Sequence, residues 1–295
     1  MCGEGTKEVL VSLSLMKSWD IIHQSFPEET VSEYLFKLNN KSSIAYSSLY
    51  NFQTDIYSES KVLREPSKEC RKLKDEIISD WGECFKEKLC STDRMKVPPV
   101  KLKLRNSEGR PGFCSKQYDT PFHLREMYEK ELQSCLEAGQ IVPCGTEPSQ
   151  WSSKAFPVPK SDGKSVRIVT DFKQLNKNIE RPNWPTESSG QLLRYIDPGD
   201  RYFVSCDLTS GYHQIALDEE SSNLLCISTP MGRYKFTVLA QGACSSSDIF
   251  NYLTDGSMRR DSSGALKNME DILLYGKNLK ELKSKLENFL FIRQR

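Results

Sequence analysis

Residues 267–276 read KNMEDILLYG. An acidic pair, Glu270-Asp271, stands at a hinge, and Ile272, Leu273, Leu274 and Tyr275 follow as an apolar arm. Residues 265–275 have the pattern of a hairpin, two short β-rich arms about a polar turn. Taken alone, the stretch proves little, and a solvated acidic turn between two strands is the ordinary account of such a pair. The residue that sharpens the reading lies upstream, in RYFVSCDLTSGYHQI (201–215). It begins as an alternating strand, with Tyr202, Val204 and Cys206 on one face and Phe203, Ser205 and Asp207 on the other. If that strand and the apolar arm are neighbours in one antiparallel sheet, Asp207, Glu270 and Asp271 converge at one edge. Three such carboxylates repel one another and raise their own pKa values. Divalent cations relieve the repulsion, and two Mg2+ about 3.5–4 Å apart are what an in-line phosphoryl transfer uses.

Working outward, AFPVPKSDGKSVRIVTDF (155–172) is a second hairpin that turns at Asp162-Gly163, a dipeptide tolerant of positive φ. Lys160 and Arg167 place a cation on each of its arms, as a clamp on a triphosphate or as an ordinary solvated hairpin. A third hairpin, LLCISTPMGRYKFTVLA (224–240), turns at Pro230-Met231-Gly232. Four helices are expected. One opens at Pro66-Ser67, with Cys70, Leu73, Ile77, Ile78 and Trp81 at helical spacing. Another follows Thr120-Pro121 with Thr120 as cap, shows Leu124, Tyr128, Leu132, Cys135 and Leu136 on one face, and ends at Gly139. Residues 245–258 form the third. The fourth, 279–294, gathers Leu279, Leu282, Leu286, Phe289 and Leu290 on one face. Strands mixed with helices and joined by hairpins favour an α+β fold over a parallel α/β one.

The chain has 295 residues, 37% hydrophobic and 27% charged, with a formal net charge of +1. That composition suits a globular protein with a sizeable core, and a nucleic-acid surface would have to be a local basic patch. No apolar run approaches the ~18–20 residues of a membrane span, and the N-terminus lacks the basic region of a signal peptide. The ten cysteines form no Cys-x-x-Cys pair, and His23, His123 and His213 do not fall at zinc spacing beside them, so neither zinc nor a disulfide framework is expected.

In order and spacing, WSSKAFPVPKSDGKSVRIVTDFKQLN, DLTSGYHQI, LAQGACSSSDIF and MEDILLYG resemble the reverse transcriptase domain of gypsy-class LTR retrotransposons. The likeness begins near Lys96 and covers about two thirds of the chain, taking in the helix FHLREMYEKELQSCLEAGQIVPC. The resemblance implies a right-hand polymerase with fingers and palm subdomains, an antiparallel palm sheet with packed helices, and two-metal nucleotidyl transfer from a dNTP to a primer 3′-hydroxyl on an RNA or DNA template. It implies Asp207, Glu270 and Asp271 as catalytic metal ligands, assisted by the Leu208 carbonyl, for two Mg2+ or Mn2+ ions. It implies Lys160 and Arg167 on the triphosphate, Tyr212 as the aromatic gate beneath the sugar, and Gln241 on the nucleotide and template. Lys173, Lys177 and Arg181 are candidates for template phosphates, with a solvated face as the other reading.

Two departures from the family stand out. It carries Asp where this chain has Glu270, and a Tyr or another apolar residue where this chain has Asn268. One added methylene moves a carboxylate by roughly 1 Å, while a metal site is held to about 0.5 Å, so weak or lost activity is expected. The chain also stops before the family's primer grip and thumb. The expected organisation is an irregular segment over 1–60 resembling a protease tail, a helical linker over 61–95, and fingers and palm over 96–295. That would make the chain a slice of a Pol polyprotein once contiguous with protease, RNase H and integrase. No Asp-Thr/Ser-Gly triplet is present, so protease activity is excluded. Cytoplasmic particles are the expected location by class, with the nucleus left open. The alternative is a non-catalytic nucleic-acid-binding remnant or a host interaction protein. A third outcome is an unstable fold, in which 279–294 exposes its apolar face and aggregates.

Overall fold

A computed structural model describes residues 11–12, 67–86, 88–105, 112–116, 119–145, 149–160, 162–197, 199–258 and 265–294. The protease-like tail expected over 1–60 lies outside them, apart from Val11–Ser12, which pairs in parallel with Phe85–Lys86. Eight further strands carry the fold: β1 (Ile141–Pro143), β2 (Ser153–Pro159), β3 (Val166–Asp171), β4 (Tyr202–Asp207), β5 (Cys226–Thr229), β6 (Gly232–Phe236), β7 (Ala265–Asn268) and β8 (Asp271–Gly276). The longer helices are α1 (Lys68–Asp80), α2 (Phe122–Glu137), α3 (Ser246–Met258) and α4 (Leu279–Gln294).

The strands form two sheets. β4, β8 and β7 make a three-stranded antiparallel sheet with β8 in the middle. The other five run in the order β1-β6-β5-β2-β3. All their pairings are antiparallel except β2 with β5, a parallel pair that needs the long connection the chain makes through β4. This is the α+β architecture expected, with one parallel pair that the hairpins gave no hint of. A contiguous core including Tyr128, Phe172, Ile215, Leu225, Val238 and Phe250 joins the two sheets. Within it the Tyr128 hydroxyl donates to the Ala155 carbonyl at 3.0 Å, which satisfies a phenol with no exposed surface.

Helix ends follow local chemistry. Ser67 caps α1 by accepting from the Cys70 amide at 3.2 Å. For α2 the expected Thr120 cap does not form. The N-cap position falls to Pro121, with no side-chain cap bond, because proline's ring fixes an extended entry one residue later. Its C-terminus closes as expected at Gly139, φ +61, where Gly139 N–H donates to Leu136 and Gln140 N–H to Cys135.

One expectation is overturned. Leu282, Leu286, Phe289 and Leu290 of α4 are fully buried, packed against β8, β4 and α1. The cover comes from α1, whose Glu76 also accepts from Lys283 at 2.8 Å. The face that carries Leu282, Leu286, Phe289 and Leu290 therefore closes the three-stranded sheet rather than standing open, while Phe291 beside it is exposed.

Candidate active site

The three carboxylates meet at the end of the three-stranded sheet. The β4–β8 register sets Asp271 opposite Asp207 and Ile272 opposite Cys206. The Leu208 amide donates to the Glu270 carbonyl at 3.0 Å, so the strand carrying Asp207 is tied to the hairpin carrying the acidic pair. In that hairpin Asn268 pairs with Asp271, which leaves Met269-Glu270 as a two-residue turn. Such turns want glycine where φ is positive, yet Met269 takes φ +55. Ser210, at the mouth of the 3-10 helix Gly211–Gln214, takes φ +45. These are the only non-glycine residues at positive φ among those described. Both flank the carboxylates, and each costs about 1–3 kcal/mol.

Glu270 packs closely against Gly211. A Cβ on Gly211 would lie 3.1 Å from Glu270 Oε1 and 3.0 Å from two ring carbons of Phe250. Oε1 is buried with no hydrogen-bond partner. Burial, and then the charge of Asp207, raise the Glu270 carboxyl to about 6, while the Tyr212 and Gly211 amides pull the other way. Asp207 is raised to about 6 as well, by burial first and Asp271 second. The chemistry of this set fits a divalent cation: hard oxygen donors of like charge, one of them with an unmet valence. The arrangement is not a ready cage, since among the described residues no three His, Cys, Asp or Glu groups are placed to hold a metal ion. Glu270 Oε1 lies instead beneath Gly211, 3.1 Å from where a Cβ on that glycine would stand.

The nucleotide candidates divide. Tyr212 follows Gly211 on the 3-10 helix, half-buried. Its ring rests on Phe250 at 4.8 Å between centroids, and its hydroxyl lies 3.3 Å from Ser247 Oγ. Arg167 and Gln241 line one cleft of about 170 Å3 together with Glu131, Thr170, Ser210 and His213. Lys160 is not among that cleft's walls. It closes the β2–β3 hairpin through its backbone, and its charge is felt at Cys135 of α2. Lys173 and Lys177 are exposed on the short helix after β3, Lys177 Nζ donating to Gln174 at 3.0 Å. Arg181 is instead engaged by Asp248, Nε to Oδ2 at 2.7 Å, which fixes it against α3.

Sequence reasoning missed three supports. Asn176 staples the loop after Gln241, its side chain donating to the Gly242 carbonyl and accepting from the Cys244 amide, at 2.9 and 2.8 Å. Lys267, its side chain 6% exposed, donates to Asn251 at 2.7 Å, and Asn251 donates to the Met269 sulfur at 3.2 Å. That chain of contacts pins the strained turn to α3. His213 lies on the floor of the cleft. The first two join residues far apart in the chain, which no local pattern reports. The third read only as a histidine at the wrong spacing for zinc.

Residues 158–291 match the family model described as reverse transcriptase (RNA-dependent DNA polymerase). The Pol polyprotein of transposon 412 from Drosophila melanogaster is 30% identical over 202 residues, 64% of this chain and 16% of that protein. The Tf2-3 polyprotein of Schizosaccharomyces pombe is 25% identical over 267 residues, 85% of this chain and 19% of that protein. The chain thus spans less than a fifth of either relative. Among solved structures, a foamy virus protease–reverse transcriptase superposes with TM-score 0.63 at 22% identity, covering 83% of this chain and 31% of that one. The foamy viral enzyme in complex with an RNA/DNA hybrid gives 0.63 at 16% identity, with the same coverage. At these identities the two structures speak for the fold.

Proposed function

The chain carries a reverse transcriptase domain of the kind found in retrotransposon Pol polyproteins, and we propose that it forms the fingers and palm of an RNA-directed DNA polymerase weakened in this copy by Glu270. The observation that supports this most is the register that sets Asp271 against Asp207, with Glu270 in the adjoining turn. Asp207 and Asp271 would hold two divalent ions, Mg2+ by the chemistry of the donors, with the Leu208 carbonyl beside them. Such ions, when bound, lower the pKa of the attacking 3′-hydroxyl and steady the leaving pyrophosphate. Tyr212, braced on Phe250, offers a ring edge to the sugar. Arg167 and Lys160 reach the triphosphate from the two arms of one hairpin, and Gln241 faces the nucleotide across the cleft. Exposed Lys173 and Lys177 meet template phosphates, whereas Arg181 serves α3 first. The substrates of this reading are a dNTP and an RNA or DNA template–primer.

Mg2+-dependent incorporation of a single nucleotide on a primed RNA template tests it, in the natural chain, Glu270→Asp and Asp207→Asn. Weak or absent incorporation in the natural chain, a gain in Glu270→Asp and silence in Asp207→Asn are expected. Activity of the natural chain that survives Asp207→Asn would overturn the reading. Template–primer binding without turnover in every variant would favour a remnant that only binds.

A further inference from the structure

Arg167 and Gln241 line one cleft from elements far apart in the chain, and one side chain joins those elements. Gln241 crowns a turn whose shoulders are buried: Ala240 has no exposed surface and Ala243 is 5% exposed, while Gln241 itself is exposed. Beside it Gly242 holds φ +93, a state that glycine visits freely and so loses the most entropy by keeping. The crest is held from both sides. Ser246 Oγ donates to the Ala240 carbonyl at 2.6 Å. Asn176 uses both ends of its amide, Nδ2 donating to the Gly242 carbonyl at 2.9 Å and Oδ1 accepting from the Cys244 amide at 2.8 Å.

Asn176 is itself well anchored. It ends the short helix Lys173–Asn176, which follows directly on β3. Its own amide donates to the Phe172 carbonyl at 2.8 Å, and Phe172 and Leu175 are buried. The same β3 carries Arg167, and its Thr170 carbonyl oxygen lies 3.7 Å from where a Cβ on Gly242 would stand. Arg167 and the crest that bears Gln241 are therefore both set by one continuous segment. The amide suits this task. An aspartate could accept from Cys244 but would turn an oxygen towards the Gly242 carbonyl, and an alanine could do neither.

We propose that Asn176 is a positioning residue for nucleotide binding: its two bonds, to Gly242 and Cys244, fix the height of Gln241 relative to Arg167, so that both meet one nucleotide. The inference rests on the polymerase reading above and adds to it the residue that makes two distant elements act as one site. Asn176 touches no substrate and acts through Gln241. Without its two bonds the crest would have to be ordered at each binding event, which weakens affinity and leaves the carboxylates untouched.

The test measures equilibrium binding to the full chain in two stages, first a primed RNA template alone and then a dNTP with Mg2+ on that template, alongside the thermal midpoint. Asn176→Ala weakens dNTP binding about tenfold, on the scale of one lost hydrogen bond, and leaves template–primer affinity unchanged. Asn176→Asp, which keeps the Cys244 bond, also weakens dNTP binding and serves if the alanine variant does not fold. In a Gln241→Ala background either substitution still lowers the midpoint but no longer weakens dNTP binding, because its effect runs through Gln241. A lower midpoint with unchanged dNTP affinity overturns the proposal, since a purely structural staple would behave so. An equal loss of template–primer affinity overturns it too, as does a dNTP loss that persists in the Gln241→Ala background. In those cases the natural chain still binds dNTP and the polymerase reading stands. A natural chain that binds no dNTP overturns that reading and this inference together.

Discussion

Two hairpins bear the candidate chemistry, and they are built in opposite ways. At the tip of β2–β3, Gly163 takes the positive φ, +62, that its position demands. Asp162 there accepts from the amides of Lys164 and Ser165 and from the Ser165 hydroxyl. Those bonds, the Ser165 hydroxyl first, hold its carboxyl below the usual value. At the tip of β7–β8 a methionine takes the positive φ, the neighbouring carboxylate is half-buried with one shielded, unmet oxygen, and its pKa climbs. One turn is relaxed and solvated, the other strained and charged. Turn chemistry that obeys local rules marks scaffold here. Turn chemistry that breaks them marks the place where three carboxylates are forced together.

The contrast can be broken from either side. The largest effect is expected from Glu270→Asp, which draws the carboxylate out from under Gly211: incorporation should rise on the order of a hundredfold, the factor attached to a ~1 Å misplacement. Next comes His213, half-buried with its Nδ1 shielded, beside the strained Ser210. Its folded pKa of about 4 lies below the ordinary 6.5, so below that ordinary value only the unfolded chain takes up the proton. Stability is therefore full above about pH 6.5 and falls towards pH 4, by about 3 kcal/mol in all. Asp207 and Glu270 titrate with the opposite sign, because their raised pKa values favour the folded state as pH drops. The difference between natural chain and His213→Phe isolates the histidine: it should widen steadily from pH 7 to 4 in denaturant melts. Gly211→Ala comes third. The new Cβ meets Phe250 and Glu270 at 3.0–3.1 Å, and the overpacking should cost about 1–3 kcal/mol, read as a lower thermal midpoint. The smallest pair tests the turns themselves. Gly163→Val should cost about 1–2 kcal/mol for its left-handed backbone, whereas Met269→Gly should return about 1 kcal/mol.

Much of this was legible in the sequence, for a physical reason. The strand over 202–207 was legible from its alternation and the arm 272–275 from its continuous apolar run, and both strands formed where the pattern put them. The turn at Asp162-Gly163 and the stop at Gly139 depend on single residues with distinct backbone freedom, and both appeared. What stayed hidden depends on partners distant in the chain. No local pattern says that β2 pairs in parallel with β5, that α1 covers the apolar face of α4, or that Asp248 engages Arg181. At the site, residue types pointed to the carboxylates, and the resemblance supplied the aspartate that Glu270 replaces. The direction in which the longer side chain turns, back beneath Gly211, is a matter of packing that only the fold supplies.

Binding of Mn2+ to the folded chain, followed by the paramagnetic signal of the free ion, tests the central claim that Asp207, Glu270 and Asp271 are one metal-holding unit with one ill-fitting member. Glu270→Asp should bind Mn2+ more tightly than the natural chain, and Asp207→Asn should abolish the gain when added to it. Equal affinity in the natural chain and Glu270→Asp, or a gain that survives Asp207→Asn, would contradict the account.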